Sequence, residues 1–329
     1  MKSICIIGDN GHYHSVLEAV RENPSEYQTL CISPGFPGEN ISGLKNAVDS
    51  AGIGYREHGD YQTMLQNETF DAAVVCSEFN LHAEISLHAM KKGVHVLCEK
   101  PLCTTREDYE RLSRYAGSVK VKISAMLAMR YEPQFYAAYK AIRSGEIGNV
   151  RLLQAQKSYK LGERPAFYRK RDSYGGTILW VGIHAIDWIQ WLSGESFVSV
   201  SALHSNMENF GHGDLETTAA AQYAMTNNAI ATVTCDYYRP DAAPTHGDDR
   251  IRVTGTKGVV EVRNDGAFLL NGKGSVTLPH DKKLNSFDDF IRYINGAADV
   301  RLDMEQSFAA TLAALKALES ADTGATVVF

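Results

Sequence analysis

Short apolar runs and longer stretches of helical periodicity take turns through the first 125 residues. The runs occupy residues 3–7, 29–32, 72–76, 94–98 and 119–125 and read as strands, while the segments between several of them repeat apolar residues every three or four positions. The clearest helix follows Asn80: Leu81, Ile85 and Ala89 share one face, and Lys91-Lys92-Gly93 ends it with cations and a terminal glycine. Thr104 and Glu107 have the spacing of a capping box for the next helix. Parallel strands need a crossover between them, so repeated β-α units predict a doubly wound parallel sheet covered on both faces.

Beyond residue 126 the texture changes. A helix is predicted over 132–144, stopped by Gly145, then an extended stretch over 150–159 and a helix over 178–192. Runs rich in β-branched and small residues follow at 197–204, 216–224, 229–238, 250–254 and 258–262, with Asn227-Asn228 and Asn264-Asp265-Gly266 as hairpin turns. Consecutive strands of this kind predict a mainly antiparallel sheet. Phe287, Phe290, Ile291 and Ile294 mark one amphipathic helix, and Met304, Phe308, Leu312 and Leu315 another. The fold class expected is α/β: a dinucleotide-binding type of domain over 1–125, then an α+β domain over 126–329.

Composition narrows the function. Of 329 residues, 44% are hydrophobic and 22% charged, which excludes a disordered or fibrous chain. The 33 basic and 39 acidic residues leave a net charge of -6 with the cations scattered, so no nucleic-acid footprint is expected. No apolar stretch approaches the roughly 18 residues of a membrane span, and the opening apolar run is shorter than that of a signal peptide. Cys5, Cys31, Cys76 and Cys98 fall in strand-like runs without metal-ligand spacing, so a cytoplasmic protein with reduced core thiols and no metal is the expectation.

Candidate chemistry starts at Gly8-Asp9-Asn10-Gly11-His12, between the first strand and its helix. Glycines there let a pyrophosphate approach the backbone at a helix N-terminus. The glycine fingerprint is incomplete at Asn10, a residue that tolerates positive φ; an ordinary β-α turn would look similar. At the end of the second strand Ile32-Ser33-Pro34-Gly35 carries neither the carboxylate that reads a ribose nor an arginine for a 2′-phosphate, so NAD and NADP are not separable, and Ser33 suits either. The stronger signal is Cys98-Glu99-Lys100-Pro101, two opposite charges and a proline at the carboxyl edge of a buried strand. A desolvated lysine there has a lowered ammonium pKa and suits proton transfer, and proline fixes the turn. A solvated surface ion pair is the plainer alternative.

Residues 93–102, Gly-Val-His-Val-Leu-Cys-Glu-Lys-Pro-Leu, resemble the signature of the Gfo/Idh/MocA oxidoreductases, the family of glucose-fructose oxidoreductase and inositol dehydrogenase. Met129-Arg130-Tyr131-Glu132-Pro133, residues 144–150, Gly175-Gly176 with Gly182-Ile183-His184-Ala185-Ile186-Asp187, residues 252–258 and residues 319–324 agree with it in order. The resemblance covers essentially the whole chain. It implies an N-terminal Rossmann domain, a C-terminal domain with an open sheet, and hydride transfer between bound NAD or NADP and a hydroxyl-bearing carbon of a sugar, cyclitol or related polyol. It implies that Lys100 touches the reacting oxygen and that His184 is the general acid/base. Gly8, Asn10, Gly11, His12, Ser33, Ser77, Glu99, Lys100 and Pro101 would contact cofactor, and a homodimer or homotetramer is implied by analogy.

Asp187, three residues after His184, is expected to orient the imidazole or cap the site. Trp180 stands where dehydrogenases of this family usually carry an aspartate, and one helical turn places it over His184, for stacking on a sugar or for plain core packing. Ser77-Glu78-Phe79 replaces the family's Thr-Pro. Tyr168 and Arg169, in a basic aromatic loop that begins at Arg164, and His246 are candidate substrate contacts for hydroxyls or an acidic group. Two other functions stay open: a glycoside-cleaving relative using transient oxidation, and a nucleotide or sugar sensor without turnover.

Overall fold

The computed structural model describes residues 1–329. Two compact units divide the chain: Met1–Met126 with Asn285–Phe308, and Leu127–Leu284 with Ala309–Phe329. The return of 285–308 to the first unit is absent from the sequence division near 125, because periodicity marks an amphipathic face without saying what covers it.

The first unit runs β1 (Lys2–Ile7), α1 (His14–Glu22), β2 (Tyr27–Ser33), α2 (Ser42–Ser50), β3 (Arg56–Glu57), α3 (Tyr61–Asn67), β4 (Ala72–Val75), α4 (His82–Lys91), β5 (His95–Cys98), α5 (Arg106–Ser118) and β6 (Ile123–Ala125). The six strands are parallel in the order β3-β2-β1-β4-β5-β6. Both directions of the winding start at β1 and β4, and that crossing opens a crevice at their carboxyl ends. All four residues of β4 are buried, which is why it reads as a continuous apolar run rather than an alternating one. α1 buries Val16, Leu17, Ala19 and Val20 against Ile4, Ile6 and Leu30; each large side chain so buried contributes about 1.5–3 kcal/mol. The cap of α5 lies one residue later than the sequence suggests: Thr105, not Thr104, accepts the Asp108 N–H at 3.1 Å.

The second unit contains α6 (Pro133–Arg143), β7 (Val150–Tyr159), α7 (Arg171–Tyr174), a π-helical turn (Ile178–Gly182) running into α8 (Ile183–Ser193), β8 (Phe197–Ser205), β9 (Thr218–Met225), β10 (Ile230–Asp236), β11 (Gly247–Gly255), β12 (Gly258–Arg263), β13 (Gly266–Asn271) and β14 (Gly274–Thr277). Helix α9 (Ser286–Ile294) sends Phe287, Phe290 and Ile291 into the core of the first unit, α10 (Met304–Thr323) follows, and β15 (Val327–Val328) ends the chain. The nine strands form one sheet in the order β14-β13-β12-β11-β7-β10-β9-β8-β15, antiparallel except for β7 beside β10. In β9 buried and exposed residues alternate, as a sheet covered on one face requires. α8 lies on β7 and β10, and α6 on β12 and β13. The Asn227-Asn228 turn forms as expected, with Asn228 at φ 60°. No helix is long and apolar enough to cross a membrane.

Candidate active site

The loop after β1 is drawn tightly against the neighbouring strand ends. The Gly8 N–H donates to the Ser33 carbonyl at 2.9 Å and the Asn10 N–H to the Cys76 carbonyl at 2.5 Å. Gly8 has φ 90°, and a Cβ there would lie 2.5 Å from the Cys76 carbonyl oxygen. Gly11, at φ 129°, leaves room for the Glu99 carboxylate, which a Cβ would overlap. Asn10 does not adopt positive φ; its place in the loop needs no left-handed residue, contrary to the sequence reading.

Glu99 is fully buried at the end of β5. Its Oε2 accepts the His12 N–H at 2.7 Å and faces His12 Nδ1 at 2.7 Å, and its Oε1 accepts the Lys100 N–H at 2.9 Å. Burial alone would raise this carboxyl, but His12, with help from Lys100, outweighs it and holds the group below the usual carboxylate range. Glu99 therefore fixes the glycine loop from beneath. Lys100 is itself fully buried, and the Lys100–Pro101 bond is cis. The buried His82 ring lies between the Pro101 carbonyl (Nδ1, 2.7 Å) and the Ser77 carbonyl (Nε2, 3.1 Å), tying these two turns together; burial pushes its pKa down. Its position in a helical start gave no sequence signal.

Sequence reasoning also missed Glu39. It lies beyond the end of β2, where no carboxylate was found, yet the loop folds it back. Its carboxylate accepts the Gly35 N–H at 2.5 Å, the Ser77 hydroxyl at 3.1 Å and the Asn10 amide at 3.3 Å. Burial raises its pKa. Ser33 instead turns its hydroxyl to the Pro34 carbonyl at 3.0 Å. Gly8, Asn10, Gly11, His12, Ser33, Ser77, Glu99, Lys100 and Pro101 thus gather at the carboxyl ends of β1, β2, β4 and β5. The N-terminus of α1 has no side-chain cap, and its backbone donors, with glycine-bared loop and a carboxylate nearby, fit a dinucleotide.

In the second unit His184 and Trp180 are buried together. The π-helical turn over Ile178–Gly182 widens the helix before His184, so the four-residue step from Trp180 makes about one turn and the two side chains share a face. Thr177 anchors this turn: its N–H donates to Glu216 Oε2 at 3.0 Å and its hydroxyl to the Glu216 carbonyl at 2.5 Å. Tyr168 meets Trp180 edge-on at 6.0 Å and stacks on Tyr174 at 4.7 Å, and the Tyr174 hydroxyl meets that of Tyr237 at 2.9 Å. Arg169 is exposed. His246 is exposed too, its ring 4.8 Å from that of Tyr159.

Asp187 has a partner the sequence did not suggest. Arg130 Nε lies 3.2 and 3.0 Å from its two oxygens and Nη2 lies 2.6 Å from Oδ1, with both side chains only 2% exposed. The carboxylate is held by a guanidinium fork, which is the strongest geometry available to it.

Comparison with known proteins decides the family. Residues 3–126 match the NAD-binding Rossmann-fold model of the Gfo/Idh/MocA oxidoreductases, and residues 135–261 the family's C-terminal domain model. The chain belongs to the Gfo/Idh/MocA family. It is an NAD-binding oxidoreductase with a Rossmann domain, as the sequence motifs implied. It is 28% identical to an inositol 2-dehydrogenase of Rhizobium meliloti over 273 residues, 76% of this chain and 78% of that protein. A myo-inositol 2-dehydrogenase of Thermotoga maritima is 26% identical over 67% of this chain and 64% of its own length. A solved structure from Thermotoga maritima, described as an oxidoreductase, shares 43% identity over 99% of this chain and 100% of its own, with a TM-score of 0.95. A levoglucosan dehydrogenase solved with NADH and L-sorbose, 17% identical over 100% of this chain and 98% of its own with a TM-score of 0.82, shares the fold.

Proposed function

We propose that the protein oxidises a secondary hydroxyl of a small polyhydroxylated molecule, a sugar or cyclitol, or reduces the corresponding ketone. The observation that carries this reading is a fully buried lysine, Lys100, at the carboxyl edge of an NAD-binding sheet, in a family whose relatives include inositol dehydrogenases. When bound, NAD supplies the hydride acceptor. Gly8, Gly11 and the α1 N-terminus would hold its pyrophosphate, and Glu39 its adenosine ribose. Lys100 holds the substrate oxygen on which negative charge gathers, and His184 takes the hydroxyl proton in oxidation and returns it in reduction. Trp180 offers a flat apolar face against which a sugar ring packs, and Tyr168, stacked on Tyr174, supports it edge-on. Glu99 is a positioning residue for the glycine loop, and Asp187, through Arg130, one for the His184 helix.

The test is NADH formation at 340 nm against a panel of inositols, sugars and polyols. Lys100→Ala is expected to abolish turnover while NADH still raises the melting temperature, and His184→Asn to lower kcat about 10²- to 10⁴-fold. Full turnover by the lysine variant would refute the assignment, and binding of NADH with no oxidation of any substrate would favour a sensor.

A further inference from the structure

Near the end of β7 the buried face of the strand turns from apolar to polar. Leu153 and Ala155 are followed on the same face by Lys157 and Tyr159. Lys157, 3% exposed, pairs at 2.6 Å with Asp249, which lies directly across on β11. The cations around this pair are not neutralised. Arg164 stacks over the rings of Tyr168 and Tyr237, 5.6 and 5.0 Å from their centroids. Its Nη2 donates to the Lys160 carbonyl at 2.9 Å, and its Nε–H is buried with no acceptor. Lys160 Nζ donates only to the carbonyls of Asp241 and Ala243, at 2.7 and 2.6 Å. Neither Arg164 nor Lys160 has a carboxylate partner, and His246 is pushed down in pKa by the partial covering of its ring against Tyr159 and then by Arg164, Lys157 and Lys160, with Asp249 opposing them.

This basic cluster flanks the proposed catalytic histidine. Trp180 and Trp188 stand one turn before and one turn after His184. Tyr168, beneath Arg164, meets Trp180 at 6.0 Å, and Lys157 lies 5.5 Å from the Trp188 ring. A buried arginine donor without an acceptor is rare in folded proteins, and Arg recognises planar anions through a fork of N–H groups while stacking on aromatic faces.

We propose that the substrate carries an anionic substituent, a carboxylate or a phosphate, bound by the Nε–H of Arg164 in the field of Lys160 while its hydroxyl-bearing carbon lies at His184. This rests on the polyol dehydrogenase reading and narrows it to sugar acids or sugar phosphates. Neutral inositols and sugars offer Arg164 only hydroxyl oxygens, weaker acceptors than the charged oxygens of a carboxylate or phosphate.

The experiment measures melting shifts of the NADH-loaded protein with D-gluconate, D-glucuronate, glucose 6-phosphate, myo-inositol and sodium sulfate at equal ionic strength, together with kcat/KM for each organic compound. An acidic compound is expected to raise the melting temperature where myo-inositol and sulfate do not, and to be used at least tenfold better than its neutral counterpart. A response to glucose 6-phosphate alone identifies the anion as phosphate, and to gluconate or glucuronate as carboxylate. Arg164→Gln is expected to reduce the acid-to-neutral ratio at least tenfold, and Arg164→Lys, which keeps the charge without the Nε–H, to reduce it less. Should the glutamine variant fail to fold, the lysine variant still reads the loss. Equal response to acidic and neutral compounds, or turnover of neutral polyols alone, overturns the proposal and leaves the dehydrogenase reading standing. Arg164-dependent binding of an acid without turnover of any compound upholds the subsite and removes the dehydrogenase reading.

Discussion

Removal of the Asp187 carboxylate separates a structural role from a catalytic one. Asp187 and Arg130 are each 2% exposed and joined by a forked contact with its shortest leg at 2.6 Å. Truncation to Asp187→Ala leaves a buried guanidinium without its counter-charge, which costs about 3–5 kcal/mol. At about 2–4 °C per kcal/mol for a unit of this size, the apparent melting temperature should fall roughly 6–20 °C. Replacing both partners, Arg130→Met with Asp187→Leu, removes the buried charges together and should recover most of that loss. The assay is a thermal melt of wild type, single and double variants, followed by kcat and KM at 25 °C. A positioning role predicts that kcat in the double variant stays within about tenfold of wild type, whereas a general-base partner to His184 predicts a loss of roughly 10²-fold or more in a fully stable protein. A single variant that melts within 2 °C of wild type, on the order of 1 kcal/mol or less, would refute the account of the buried pair.

Two further predictions come from the first unit. Glu99 has a lowered pKa in the folded state, so its contribution to stability is present above the unfolded carboxyl value, about 4.3, and is lost as pH falls through the folded value; Glu99→Gln should therefore lower the melting temperature at pH 7 and narrow its gap to wild type in acid. A gap that widens below pH 4 would refute this sign. With Glu39 on the adenosine ribose, as proposed, its carboxylate would meet the 2′-phosphate of NADP, a repulsion of about 3 kcal/mol for unit charges at about 5 Å and an effective dielectric near 20. Glu39→Gln should shift the NADP-to-NAD ratio of kcat/KM toward NADP at least tenfold, and an unchanged ratio would show that the carboxylate does not face the ribose.

Much of the fold was written in local pattern. Alternation between apolar runs and helical periodicity fixed the parallel sheet, the change of texture near residue 126 fixed the antiparallel one, and the motifs around Glu99-Lys100-Pro101 and around His184 marked the family, because each depends on neighbours in sequence. Short elements escaped: Arg56–Glu57 is an exposed two-residue strand, and the π-turn before His184 has no distinct periodicity. What local pattern does not contain is which distant group fills a side chain's hydrogen bonds. Arg130 on Asp187, Glu39 on Gly35, His82 between Ser77 and Pro101, and the unneutralised Arg164 were decided by the tertiary structure alone. A buried charge takes whichever partner the fold brings within reach, and that choice is made by packing across many residues of chain rather than by the residues beside it.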